Sequence, residues 1–249
     1  MRSLRCVAFF ALLVAMTALA QEPAEPAKAE VAVPASFRSY IVMDKRTYDG
    51  EPKIERDAIN NIAKHIYIKE PRRDPKNRTE KIHDLVGDNA LNPVLAVFSR
   101  SAPKADDALS KLALELRRIL RNEKYKAMNF GTYLVFLTMD KEFQLDEKRD
   151  EADAAIFNWG MEVGKDTPPS VDPVSKKKLP GGLEGVVLGL AGKTTEPVKA
   201  WDLGENDDIT VVLYHRLKVV QRWKFEKDKF DEDAVKAIIE ATETELKKK

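Results

Sequence analysis

Two short unbroken apolar runs, separated by one long amphipathic segment, constrain this chain more than any other feature. The first, Val94-Leu95-Ala96-Val97-Phe98, follows Pro93. It is too short for an isolated helix and suits a strand buried on both faces. Leu109, Leu112, Ala113, Leu116, Ile119 and Leu120 then recur at helical spacing, with Lys111, Arg117, Arg118 and Arg121 largely on other faces. Tyr133-Leu134-Val135-Phe136-Leu137 repeats the buried-strand signature. A second helix is expected from about Leu145 to Val163, with Ala152, Ala155, Ile156, Trp159 and Val163 on its buried face. After a Pro- and Gly-containing irregular excursion over 165–182, Val186 to Leu190 reads as a strand and Glu196 to Trp201 as a helical turn. Ile209–Tyr214 and Lys218–Phe225 are close enough in sequence for an antiparallel hairpin. The last helix is capped by Asp231 and buries Val235, Ile238, Ile239, Thr242 and Leu246. This order implies an α/β protein, a mixed sheet with helices on both sides.

The N-terminal part is read differently. Arg2 and Arg5, the apolar stretch Val7 to Leu19 and the small-x-small run Ala18-Leu19-Ala20 form the pattern of a cleaved secretory signal over 1–20. The expected location is therefore exported, periplasmic or extracellular. The apolar stretch falls short of the ~20 residues that span a bilayer, so no stable membrane insertion is expected after cleavage. Residues 21–36, rich in Pro, Ala and Glu, read as a linker, with nothing folded before about Phe37. A single domain is then expected over 37–249, comprising an extension over 37–82 and a core over 83–247. Within the extension, Phe37 to Val42 reads as an edge strand. Ala58 to Ile68 reads as a helix through Ile59, Ile62, Ala63 and Ile66, and 71–81 as a basic solvated connection.

Charge and sulfur narrow the chemistry. Removing the first 20 residues takes away two Arg and no acid, leaving 40 basic against 41 acidic side chains. No global field attracts nucleic acid, and the basic stretch 71–81 has no interleaved aromatics for base stacking. Cys6, the one cysteine, leaves with the signal and lies too far from the cleavage point to become a lipidated N-terminus. An exported chain without thiols depends on packing for its stability.

The order of elements resembles the redoxin branch of the thioredoxin-like superfamily, the peroxiredoxins and exported thiol-disulfide oxidoreductases. Val94 to Phe98 looks like the strand leading into the active-site loop, and Tyr133 to Asp140 like the next strand with its terminal acid. The unit Leu145 to Leu190 is similar to the redoxin helix-strand insertion. Val198-Lys199-Ala200-Trp201-Asp202-Leu203-Gly204 resembles the short helix before the hairpin, and Thr210 to Tyr214 its first strand. The resemblance implies a thioredoxin-like mixed sheet flanked by helices. It also implies a thiolate at the start of the long helix and a cis-proline before the hairpin. Phe98 to Asp106 contains no cysteine, and Asp207-Asp208-Ile209-Thr210 stands where the proline would be. Both halves of the redox site are missing, so no catalytic residue is assigned on the strength of the family.

Other chemistries find no motif. His65, His83 and His215 have no ligand spacing, Ser99 and Ser101 no nucleophile elbow, and Gly181-Gly182 and Gly189-x-x-Gly192 no phosphate-loop pattern. No metal or cofactor is expected. Asn77-Arg78-Thr79 matches a glycosylation sequon, a triplet that also arises by chance. Ligands of open α/β sheets bind beyond the carboxyl ends of the strands. That topology should bring Arg100, Ser101, Pro103 and Asp106 together with Asp207 and Asp208, a candidate binding site for a protein or a small polar ligand. The expected function is an exported, non-catalytic binding or structural module. The alternatives are an accessory protein of a thiol-redox system, or an enzyme with an unrelated site on the same scaffold.

Processing is directly testable. Intact mass and N-terminal sequencing of protein recovered from the producing cell should place the first residue at Gln21 and find no titratable thiol; recovery with Met1 and Cys6 retained would contradict the signal reading.

Overall fold

The computed structural model describes residues 31–34, 36–43, 53–56, 63–66, 82–89, 91–140, 147–166, 182–183 and 185–248. The expected signal, the sequon, the basic connection 71–81 and most of the excursion 165–182 lie outside them. β5 (Val94–Ser99), buried at all six positions, runs parallel to β6 (Gly131–Met139) and antiparallel to β8 (Ile209–His215). β6 continues in parallel to β7 (Val187–Gly192), β7 pairs antiparallel with β1 (Arg38–Met43), and β1 with β4 (Ile82–Asp84). β9 (Lys218–Phe225) closes the other side as the hairpin partner of β8. The seven-stranded order is β4-β1-β7-β6-β5-β8-β9. This is the mixed α/β sheet that the redoxin resemblance implies.

Side-chain alternation divides the core in two. Leu95, Val97, Leu134, Phe136, Leu188, Leu190, Val211 and Leu213 face the three long helices of the described residues, α2 (Ala108–Arg121), which the short α3 (Glu123–Lys126) follows, α4 (Arg149–Val163) and α6 (Glu232–Leu246). Val94, Ala96, Phe98, Tyr133, Val135, Val212 and Tyr214 face the opposite layer. That layer is thin. It consists of α1 (Leu85–Asn89), α5 (Glu196–Ala200), Trp201 and the segment around Val33 and Phe37. Among the described residues helices therefore do cover both faces, but every long one lies on the same side. Aromatic rings compensate for the thin layer, with Phe98 4.9 Å from Phe37 and 5.3 Å from Trp201 between ring centres.

Four expectations are corrected. Phe37 to Val42 is not an edge strand: β1 sits between β4 and β7 with five of its six residues buried, and β4, unforeseen in a polar stretch, forms the edge. The folded chain begins before Phe37. Val33 N–H donates to the Leu217 carbonyl at 2.9 Å and Val219 N–H to Val31 at 2.8 Å, and Val33 is buried. Residues 63–66, expected in a helix, form β3 (Ala63–Ile66), antiparallel to β2 (Lys53–Arg56) in a separate two-stranded sheet. Ile62 and Ile66 fit a helical spacing and a strand alternation equally. The backbone register pairs Lys53 with Ile66 and Arg56 with Ala63. The remainder of 58–68 lies outside the described residues.

The buried face of α4 is also wider than the one expected. Ile156 and Trp159 are buried and Ala152 and Val163 pack against the core as expected, but Phe157, Gly160 and Met161 are buried too and Ala155 is exposed. Gly160 explains the widening, because a Cβ there would lie 2.6 Å from Leu188 Cδ1 and 2.9 Å from Met43 Cε. The helix thus packs its backbone onto those two side chains of β7 and β1.

α6 is fixed at both ends. Asp231 accepts from Ala234 N–H at 2.9 Å at its start, as expected. Near its end the buried Glu245 carboxylate meets His215 Nδ1 at 2.9 Å and Lys248 Nζ at 2.6 Å. Burial alone would raise the Glu245 carboxyl, but the Lys248 ammonium and His215 outweigh it and hold it below the ordinary value. A carboxyl depressed on folding stabilises the native state above its unfolded value, near 4.3, and loses that contribution as pH falls through the folded value. Glu245→Gln should therefore lower unfolding stability by roughly 1–2 kcal/mol at pH 6–7. In urea titrations the gap between parent and variant should close as pH falls below about 4.3; a gap constant to pH 3 would show that the carboxylate contributes nothing.

Candidate functional site

The site is assembled from three connections that meet at the carboxyl end of β5. β5 ends at Ser99, whose buried hydroxyl donates to the Ser101 carbonyl at 3.1 Å. The Arg100 N–H donates to the Asp208 carbonyl at 2.8 Å, which continues the β5–β8 pairing into the loops. The Arg100 side chain then does something that no sequence motif announces. Its Nε donates to the Gly204 carbonyl at 2.9 Å, Nη2 to Leu203 at 2.8 Å and Nη1 to Lys193 at 3.1 Å. One guanidinium thus joins the β5–α2 loop to the β7–α5 turn and to the loop preceding β8. A guanidinium is charged at every accessible pH and offers five N–H donors in a rigid fork.

The facing loop is equally occupied. Ser101 Oγ donates to Asp208 Oδ1 at 2.5 Å. Asp207 Oδ2 accepts from the Gly204 N–H at 3.1 Å and lies 3.3 Å from Lys224 Nζ. The Asp208 N–H donates to the Phe225 carbonyl at 2.8 Å. Alongside, Lys224 also pairs with Asp202 at 3.0 Å. That hydrogen bond holds the Asp202 carboxyl below the ordinary range and raises the Lys224 ammonium.

The β5–α2 loop is anchored from behind. Lys104 presents its carbonyl to Ser110 Oγ at 2.8 Å and to Trp159 Nε1 at 2.9 Å. Trp159 is itself stacked edge-on against Phe136 at 5.5 Å. Asp107 caps α2 by accepting from the Ser110 N–H at 2.8 Å, so a carboxylate of the chain already occupies the helix N-terminus. Asp106, exposed, adopts φ +61°, a left-handed conformation that aspartate tolerates.

The juxtaposition expected from topology is therefore present: Arg100 and Ser101 meet Asp208, and Asp207 lies beside them. Pro103 is half-buried and Asp106 stands on the loop tip. The residues missed were Lys193, Leu203 and Gly204, which act through carbonyls, and Trp159, which acts through its indole N–H. Carbonyl acceptors leave no signature in a sequence. The exposed part of the site consists of Ala102, Lys104, Ala105 and Asp106 on one loop and Glu205 and Asn206 on the other. Elsewhere, His215 and His83 are paired with Glu245 and Asp88, and no group of three or more His, Cys, Asp or Glu among the described residues could hold a metal ion. Nor is any helix among them long and apolar enough to cross a membrane.

No protein-family model matches the chain, and no curated protein matches it in sequence. The solved structures similar to it are redoxin-type thioredoxin-like proteins. A candidate thiol:disulfide interchange protein DsbE from Chlorobium tepidum is 14% identical, with 67% of this chain and 88% of that one covered at a TM-score of 0.41. Mycobacterium tuberculosis AhpC is 8% identical over 88% of this chain and 92% of that one, at 0.45. A reduced 2-Cys peroxiredoxin of Plasmodium vivax is 12% identical over 87% and 96%, at 0.41.

The bonds of Arg100 make it a structural residue first. Arg100→Ala should lower unfolding stability by about 2–4 kcal/mol, and Arg100→Lys should recover less than half of that, since an ammonium cannot reach three carbonyls in the same geometry. Lys104→Ala, which leaves the carbonyl in place, should fall within about 0.5 kcal/mol of the parent. Equal stability of all three variants in chemical denaturation would refute the clamp.

Proposed function

We propose that this chain is an exported, non-catalytic thioredoxin-like domain that serves as a binding or structural module. The observation behind this reading is the Arg100 clamp. Within Phe98 to Asp106, the stretch where the redoxin resemblance implies a thiolate, the chain has Arg100 and Ser101, tied to the facing loop through Leu203, Gly204 and Asp208. Thiol chemistry needs a thiolate exposed to its substrate. The single cysteine, Cys6, belongs to the signal-like segment, so an exported mature chain would carry none.

The same bonds weigh against an accessory role in which a redox partner's substrate lies along the loop before β8. The main-chain N–H groups of Asp207 and Asp208 already donate to Gly204 and Phe225, and the Asp208 carbonyl accepts from Arg100. An extended peptide would have to displace them. Binding is better served by what projects from the clamp: Lys104 and Asp106 on one tip, Glu205 and Asn206 on the other, with Pro103 stiffening the first. Arg100, Ser101, Asp207 and Asp208 then act as the frame that holds those tips at a fixed separation. Partner and frame are thus different residues.

Two measurements test this reading. The purified mature protein should show no dithiol-dependent reduction of protein disulfides and no thiol peroxidase turnover above a heat-denatured control. A photo-crosslinker placed at Lys104 should yield discrete adducts in the native compartment, whereas one at the exposed Lys236 on α6 should not. Redox turnover would overturn the non-catalytic assignment, and indistinguishable patterns from the two positions would remove the loops as the contact surface.

A further inference from the structure

We draw no further inference here: the strongest candidate, the cavity of about 480 Å³ beside the C-terminal half of α2 lined by Leu114, Arg117, Arg118, Arg121 and Asn122, carries nothing, because Arg118 is already held by Glu115 and Glu243, a helix C-terminus disfavours an added anion, and nothing in the structure shows what would fill it.

Discussion

The guanidinium of Arg100 decides how the carboxyl end of the sheet is built. Loops that leave parallel strands tend to diverge, and their carbonyls need donors when water is excluded. Here three such carbonyls, from Lys193, Leu203 and Gly204, converge on one side chain just beyond the end of β5. Hydrogen bonds from a charged donor contribute about 1.5–3 kcal/mol each, and a carbonyl left without its partner costs a similar amount. The position of the short helix α5, and of Trp201 just beyond it, follows from the same contact. Arg222 adds to it by donating to the Trp201 carbonyl at 2.7 Å. Trp201 then packs at 6.0 Å against Tyr214 and covers the face of the sheet opposite α2, α4 and α6.

The start of the long helix α2 is filled by groups of the chain itself. In a redoxin-type site the start of the long helix offers unpaired N–H groups to an anionic sulfur. In this chain the Asp107 carboxylate takes the Ser110 N–H, the Ser110 hydroxyl donates to the Lys104 carbonyl, and the Ser101 hydroxyl is committed to Asp208. α2 is tied across to α6 by Lys111 with Glu232 and by Arg118 with Glu243 at 2.8 Å, while its buried face packs Leu112, Leu116 and Ile119 on the sheet. Exposed ion pairs contribute little individually, so the stability of the layer rests on the apolar contact.

Much of the fold was legible because its central elements are patterned without ambiguity. β5 and β6 carry unbroken buried apolar runs, Val94 to Phe98 and Tyr133 to Leu137, α2 keeps a 3–4 spacing over three turns, and α6 has its cap and all five expected buried residues in place. Legibility failed where pattern was short or tertiary contact overrode it. Four residues around Ile66 fit two periods at once; Gly160, unremarkable in a sequence, widened the buried face of α4 by letting the Leu188 and Met43 side chains come close. β4 is three half-buried residues whose strand character comes from its neighbour β1. In the candidate site the meeting of the two loops followed from topology, but the use made of Arg100 did not. A side chain that could bind a ligand and one that binds its own backbone look identical in one dimension.

The central claim is that the two loops are closed upon each other in the native state, and residue-resolved amide hydrogen exchange of the mature protein tests it most directly. The account predicts that the Arg100 and Asp208 amides, which donate to Asp208 and Phe225, exchange as slowly as those of Val97 and Val211 in the sheet core, while Glu205 and Asn206 exchange quickly. Exchange of Arg100 and Asp208 at the rate of Glu205 and Asn206 would mean that the clamp opens freely, and would contradict it.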